Sequence, residues 1–101
     1  MAGPLLADED ARLLFQAKRF AIATILYVRG ETVMRDLRRE TGLSWGDLDS
    51  NVRAMERRGL AKTRKIITRE GPRTAVSLTP RGRRAYERLV NYLRRHLPGE
   101  A

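Results

Sequence analysis

The groups with the most chemical capacity in this 101-residue chain are cationic. Lys62, Arg64 and Lys65 are followed by Arg69 and Arg73 on either side of Gly71-Pro72, and only Glu70 opposes them in that stretch. Ammonium and guanidinium groups at this density hold anionic oxygens, phosphates above all, through charge-assisted hydrogen bonds. A second set lies between positions 44 and 57: Ser44, Gly46, Asp47, Ser50, Asn51, Arg53, Ala54 and Arg57. Arginine can grip the paired acceptors of a guanine edge, serine and asparagine donate and accept, and glycine and alanine permit close approach. Asp47 and Asp49 work against this reading, because carboxylates facing phosphates repel them. Asp47 reads as a helix-start residue, whereas Asp49 is harder to place. Thr32, Arg35 and Arg38 supply possible further phosphate contacts.

Other chemistries find little footing. With no cysteine and a single histidine, His96, neither a disulfide nor a thiolate metal site can form, and no metal or cofactor is expected. There is no phosphate-binding glycine loop and no nucleophile motif, so the chain is not expected to be an enzyme. The formal charge of +9 favours a polyanionic partner, nucleic acid first and a membrane surface second. No apolar run approaches the roughly 20 residues of a spanning helix, and the N-terminus lacks a signal-peptide pattern, so a cytoplasmic, DNA-associated protein is expected.

Periodicity gives the elements that must position these cations. Residues 1–7 are expected to form an arm. A helix is predicted from Asp8, whose neighbouring acids suit a positive helix end, through Leu13, Leu14, Ala17, Phe20, Ala21, Ile25 and Val28 to Arg29. Phe15, Ile22 and Leu26 widen its stripe beyond one small core, which suggests a second protomer. An extended stretch at 31–33 and a short amphipathic helix carrying Leu37 lead to a break at Thr41-Gly42-Leu43. Ser44 caps a helix over 45–58 with Leu48, Val52 and Met55 inward, and Gly59 stops it. Trp45, at its start, could stack on a nucleotide sugar, though it is expected rather to cover the gap between helices, and the tyrosines and phenylalanines fit core or interface. Strands over 61–67 and 74–78 flank a turn at 69–73. Thr79 and Pro80 open a last helix with Ala85, Tyr86, Leu89, Val90, Leu93 and Leu97 as its stripe. The fold class is therefore mainly α with a small β-hairpin (α+β): one domain over 8–97, with a tail at 98–101.

This order, with Thr41-Gly42-Leu43-Ser44, Leu48 to Val52, Met55-Glu56-Arg57-Arg58-Gly59-Leu60 and Ser77-Leu78-Thr79-Pro80-Arg81-Gly82-Arg83, resembles the winged helix-turn-helix transcriptional regulators of the MarR type. The likeness spans residues 12–95 and is nearest to the short single-domain branch of archaea and bacteria. It implies a sequence-specific regulator of double-stranded DNA, by preference a repressor, with helix 45–58 in the major groove. The hairpin would be a wing on the adjacent backbone or minor groove. Relatives often hold a small-molecule effector between the dimer helices and the DNA-binding lobe, but no residue here specifies one.

The resemblance also implies a homodimer, for which Leu5, Leu6, Leu13, Leu14, Leu89, Tyr92, Leu93 and Leu97 are the candidate interface. A two-fold dimer would set two reading helices about 34 Å apart on a pseudo-palindromic site. Two alternatives stay open: a winged-helix protein-interaction module, which suits Asp47 and Asp49, and a sequence-indifferent DNA-coating protein.

Overall fold

The computed structural model describes residues 4–99, apart from the side chains of Pro4 and Leu6. Its elements follow in the order α1 (Pro4–Ala7), α2 (Glu9–Leu14), α3 (Ala17–Arg29), β1 (Thr32–Val33), α4 (Met34–Thr41), α5 (Trp45–Arg57), β2 (Ala61–Thr68), β3 (Gly71–Leu78) and α6 (Pro80–His96). The three strands form one antiparallel sheet in the order β1-β3-β2. Leu14, Ile22, Leu26, Leu37, Leu48, Met55, Leu60, Val76 and Leu89 are fully buried, so α2 through α6 and the sheet share one core.

Local chemistry sets most boundaries where the sequence places them. Ser44 Oγ accepts from Asp47 N at 3.1 Å, and Thr79 Oγ1 accepts from Gly82 N at 3.0 Å, so both expected caps are made. After α5, Gly59 adopts φ +78°, and Leu60 N reaches back to the Met55 carbonyl at 2.9 Å. This left-handed turn delivers the chain into β2. The hairpin turn is tighter than expected, since only Arg69 and Glu70 lie outside the paired strands, while Pro72 and Arg73 belong to β3. Pro72 is tolerated in that middle strand because β1 pairs only with Ala75 and Val76, which leaves one side of Pro72 open.

The N-terminal third differs from expectation. The single helix from Asp8 is broken: Phe15 ends α2, and Gln16, in an extended conformation, caps α3 through Gln16 Oε1 accepting from Arg19 N at 3.1 Å. The wide apolar stripe is therefore two narrower stripes on two helices. The expected arm is instead partly helical, and Leu5 is only 6% exposed within the core. Leu14 and Leu89 are wholly buried in the same protomer. Leu14 and Leu89 are thus core residues with no surface left for a partner and Leu5 a core residue with almost none, which corrects their assignment to a dimer interface. Leu6 lies outside the described side chains. Leu13, Tyr92 and Leu93 are half-buried, and Leu97 is 59% exposed.

Arginines on α6 bind α2 to it. Arg81 forms paired bonds to Asp10 at 2.7 and 3.0 Å, and Arg88 pairs with Asp8 at 2.6 and 3.2 Å. Hydrogen bonding from Arg88 holds the Asp8 carboxyl below the usual aspartate value, and Asp8 also caps α2 by accepting from Ala11 N. Among the described residues no helix is long and apolar enough to cross a membrane.

Candidate nucleic-acid interface

α5 is held by its buried face and by ion pairs at both ends. Leu48, Val52 and Met55 enter the core, Lys18 on α3 pairs with Asp47 at 2.8 Å, and Arg58, just past the helix, pairs with Glu9 at 3.1 Å. The outer face that remains carries Gly46, Ser50, Arg53 and Arg57, all exposed, with Ala54 half-buried. Arg57 makes no hydrogen bond or ion pair among the described residues. Arg53 Nε lies 2.9 Å from Asp49 one turn back, so its fork is partly engaged by a neighbouring carboxylate.

That pairing accounts for the two acids. Asp47 is neutralised by Lys18, whose hydrogen bond lowers its pKa, and Asp49 by Arg53. Neither is a bare charge on the outer face. Asn51 needs correction: it is 8% exposed, and its Nδ2 donates to the Asp47 carbonyl at 2.8 Å. One hydrogen of its amide is committed to the helix, and burial leaves little of the side chain to a ligand. Thr32 is likewise buried, its hydroxyl donating to the Gly30 carbonyl at 2.9 Å.

The hairpin lies beside α5, with its cations in three different conditions. Lys62 and Arg69 are exposed and make no hydrogen bond or ion pair among the described residues. Lys65 donates across the ladder to Thr74 Oγ1 at 2.8 Å, and Arg73 donates to the Pro72 carbonyl at 2.8 Å, one hydrogen bond each. Arg64 is gripped on two nitrogens by Glu31 at 2.7 Å each, which raises its pKa and depresses that of Glu31. Arg35 on α4 is bound to Glu70 at 2.8 Å. The sequence suggested that Glu70 alone opposed these charges, but Glu31 does so as well. Arg64 and Arg35 act as braces between the hairpin and the body; a phosphate would have to displace the carboxylate that holds two nitrogens of Arg64, whereas Arg35 is engaged through one.

One contributor was misjudged from sequence. Trp45 is 50% exposed, and the Arg38 guanidinium sits over its ring at 5.1 Å from the centroid. The ring is a surface platform with a cation on it. Its helix-start position suits stacking and packing alike, so the sequence could not choose between them. Met34, Arg35, Trp45, Lys65, Pro72, Arg73 and Thr74 line one concave surface that joins the start of α5 to the hairpin. Among the described residues no group of histidines and acids could hold a metal ion.

The family model described as winged helix DNA-binding domain matches residues 18–97. The chain belongs to the winged helix DNA-binding domain family. In that frame β2 and β3 are the wing and α5 is the helix beside it. A transcriptional regulator homologue from Pyrococcus horikoshii OT3 is 31% identical to this winged-helix chain, with 90% of each chain covered and a TM-score of 0.79. A structure described as a MarR-family transcriptional regulator from Enterococcus faecalis V583 shares the fold at 20% identity, covering 93% of this chain and 84% of the other, with a TM-score of 0.76. The transcriptional repressor BigR from Xylella fastidiosa shares it at 22% identity, 94% and 88% coverage and a TM-score of 0.70. No curated protein matches the chain.

Proposed function

We propose that this winged-helix chain is a sequence-specific regulator of transcription that binds double-stranded DNA as a homodimer and represses by occupying its site. The observation that carries the reading is the outer face of α5, where Ser50, Arg53 and Arg57 stand exposed beside a wing whose Lys62 and Arg69 make no hydrogen bond or ion pair among the described residues. Ser44 and Gly46 at the start of α5 and the Trp45 platform extend this face toward the wing. Arg53 and Arg57 would read base edges, while Lys62, Lys65, Arg69 and Arg73 would hold phosphates. Pairing of Asp47 with Lys18, and of Asp49 with one nitrogen of Arg53 that leaves the rest of its fork for a base edge, weakens the argument for a protein-binding module.

The dimer rests on what the protomer leaves uncovered. Leu97, Val28 and Phe15 are exposed, and Leu13, Tyr92 and Leu93 are half-buried, so the outer sides of α2, α3 and α6 offer apolar surface to a second copy. The relatives' descriptions as transcriptional regulators support the biological role.

Selection of bound duplexes from a random pool tests the reading. Enrichment of two half-sites with centres one helical turn, about 10 bp, apart is the expected result. Recovery of a pool without consensus would leave a DNA-coating protein, and no recovery would refute the DNA-binding reading.

A further inference from the structure

The wing ends in an apolar step that the core does not explain. After Lys62, Thr63, Arg64 and Lys65, β2 runs into Ile66 and Ile67, and Ile67 is 80% exposed, more than any other large hydrophobic side chain among the described residues. Directly opposite it in the register is Pro72, also exposed. Side chains opposed across an antiparallel pair stand about 5 Å apart, so Ile67 and Pro72 act as one apolar unit.

A single exposed isoleucine is unremarkable in itself. This pair differs in three respects. It sits at the distal end of an edge strand, where a charge would be the ordinary protection against strand pairing. By strand alternation it shares the face of Lys65 and Thr74, the face that joins the surface containing Trp45 at the start of α5. Cations flank it along the strands: Lys65 two residues before Ile67 on the same face, Arg69 two residues after it, and Arg73 next to Pro72, while the one acid of the tip, Glu70, is held by Arg35 from α4.

The tip is also fixed in shape. Thr68 Oγ1 accepts from Glu70 N at 3.2 Å and donates to the Gly71 carbonyl at 2.8 Å, while Gly71 takes φ +106°, a value strained for other residues. An apolar point held in a fixed turn and flanked by cations complements a groove whose walls are phosphates and whose floor is base and sugar. Apolar side chains that enter a minor groove unstack a base step and kink the duplex.

We propose that Ile67 and Pro72 form a wedge that enters the DNA minor groove beside the α5 site and bends the duplex there. The proposal rests on the DNA-binding reading above. It requires a preference for easily unstacked pyrimidine–purine steps at the position under the wing tip, outside the reach of α5. Arg69 holds the flanking phosphate and has no part in the bend.

The test is end-to-end energy transfer on a selected duplex of about three helical turns, with wild type, Ile67→Thr, Pro72→Ala and Arg69→Ala compared at saturating protein. Threonine keeps the β-branched shape at a solvent-facing position, so the sheet is retained. Wild type is expected to bend the duplex by tens of degrees. Ile67→Thr and Pro72→Ala should each lose at least half of that bend, and Ile67→Thr should weaken binding by roughly tenfold. Arg69→Ala should weaken binding and reduce the salt slope by about one, leaving the bend intact. A duplex left straight by wild type, or bent equally by wild type and Ile67→Thr, overturns the wedge while the DNA-binding reading stands. Failure of wild type to bind any duplex overturns both.

Discussion

Replacing Gly82 by alanine should damage the fold more than most single-methyl changes. A Cβ at this position would lie 1.9 Å from the Leu60 carbonyl oxygen, 2.8 Å from its carbon and 3.1 Å from Leu60 Cα. Carbon and oxygen sit comfortably near 3.5 Å, so α6 and the Gly59-Leu60 turn between α5 and β2 must part by about 1.5 Å. The obstacle is backbone and cannot rotate aside. The same joint carries the Thr79 N bond to the Leu60 carbonyl at 3.0 Å and the Thr79 Oγ1 bond to the Gly59 carbonyl at 2.6 Å. Overpacking of this kind costs about 3 kcal/mol, and disturbing the two bonds adds about 1 kcal/mol. Alanine's better helix propensity returns about 1 kcal/mol, so the net loss is about 3 kcal/mol. For a domain of this size that lowers Tm by roughly 12–24 °C. Urea denaturation followed by circular dichroism measures it, with Gly46→Ala as the control, because nothing lies within 4 Å of a Cβ there. Gly82→Ala within about 0.5 kcal/mol of wild type would refute the steric reasoning.

Glu31→Gln should release the Arg64 fork to phosphate, raising affinity for any duplex at low salt and steepening the log K against log salt slope by about 0.9; an unchanged slope would show that Arg64 does not reach DNA. Asn51→Ala should leave base discrimination unaltered, because the side chain is buried and bonded to the Asp47 carbonyl, and relaxed discrimination in the selected duplex would contradict that geometry. The folded-state pKa of Asp8 is depressed, so its pairing with Arg88 contributes stability above the usual aspartate pKa, near 4, and loses it as pH falls below that value. Asp8→Asn should therefore destabilise at neutral pH and flatten the acid limb of the stability curve; a limb as steep as that of wild type would count against it.

What could be read directly from the chain was whatever its local chemistry decides. Ser44, Gly59, Thr79 and Pro80 are strong punctuation, and Leu48, Val52 and Met55 recur at helical spacing, so α5, the hairpin and α6 are foreseeable to within a residue or a few. The break at Phe15-Gln16 was hidden, because glutamine is not a favoured cap and neither glycine nor proline marks the spot. Periodicity says that Leu14 and Leu89 are buried, but not whether their own protomer or a second one buries them. The site was half legible for a similar reason. Arg53 and Arg57 follow from a helical wheel, whereas the partners of Arg64 and Arg35, Glu31 and Glu70, lie more than thirty residues away and meet only in the fold. Asn51 sits at the margin of the wheel, where a small rotation of the helix decides between solvent and core.

The claim that the outer face of α5 reads sequence is tested most directly by fluorescence anisotropy of one selected duplex and its scrambled counterpart, titrated across about 50–200 mM salt with wild type, Arg53→Ala and Arg57→Ala. The account predicts tighter binding of the selected duplex by wild type at every salt concentration, with one or both arginine variants losing roughly 1–3 kcal/mol of that preference while still binding the scrambled duplex. Equal affinity of wild type for both duplexes, or a preference untouched by either substitution, would contradict it.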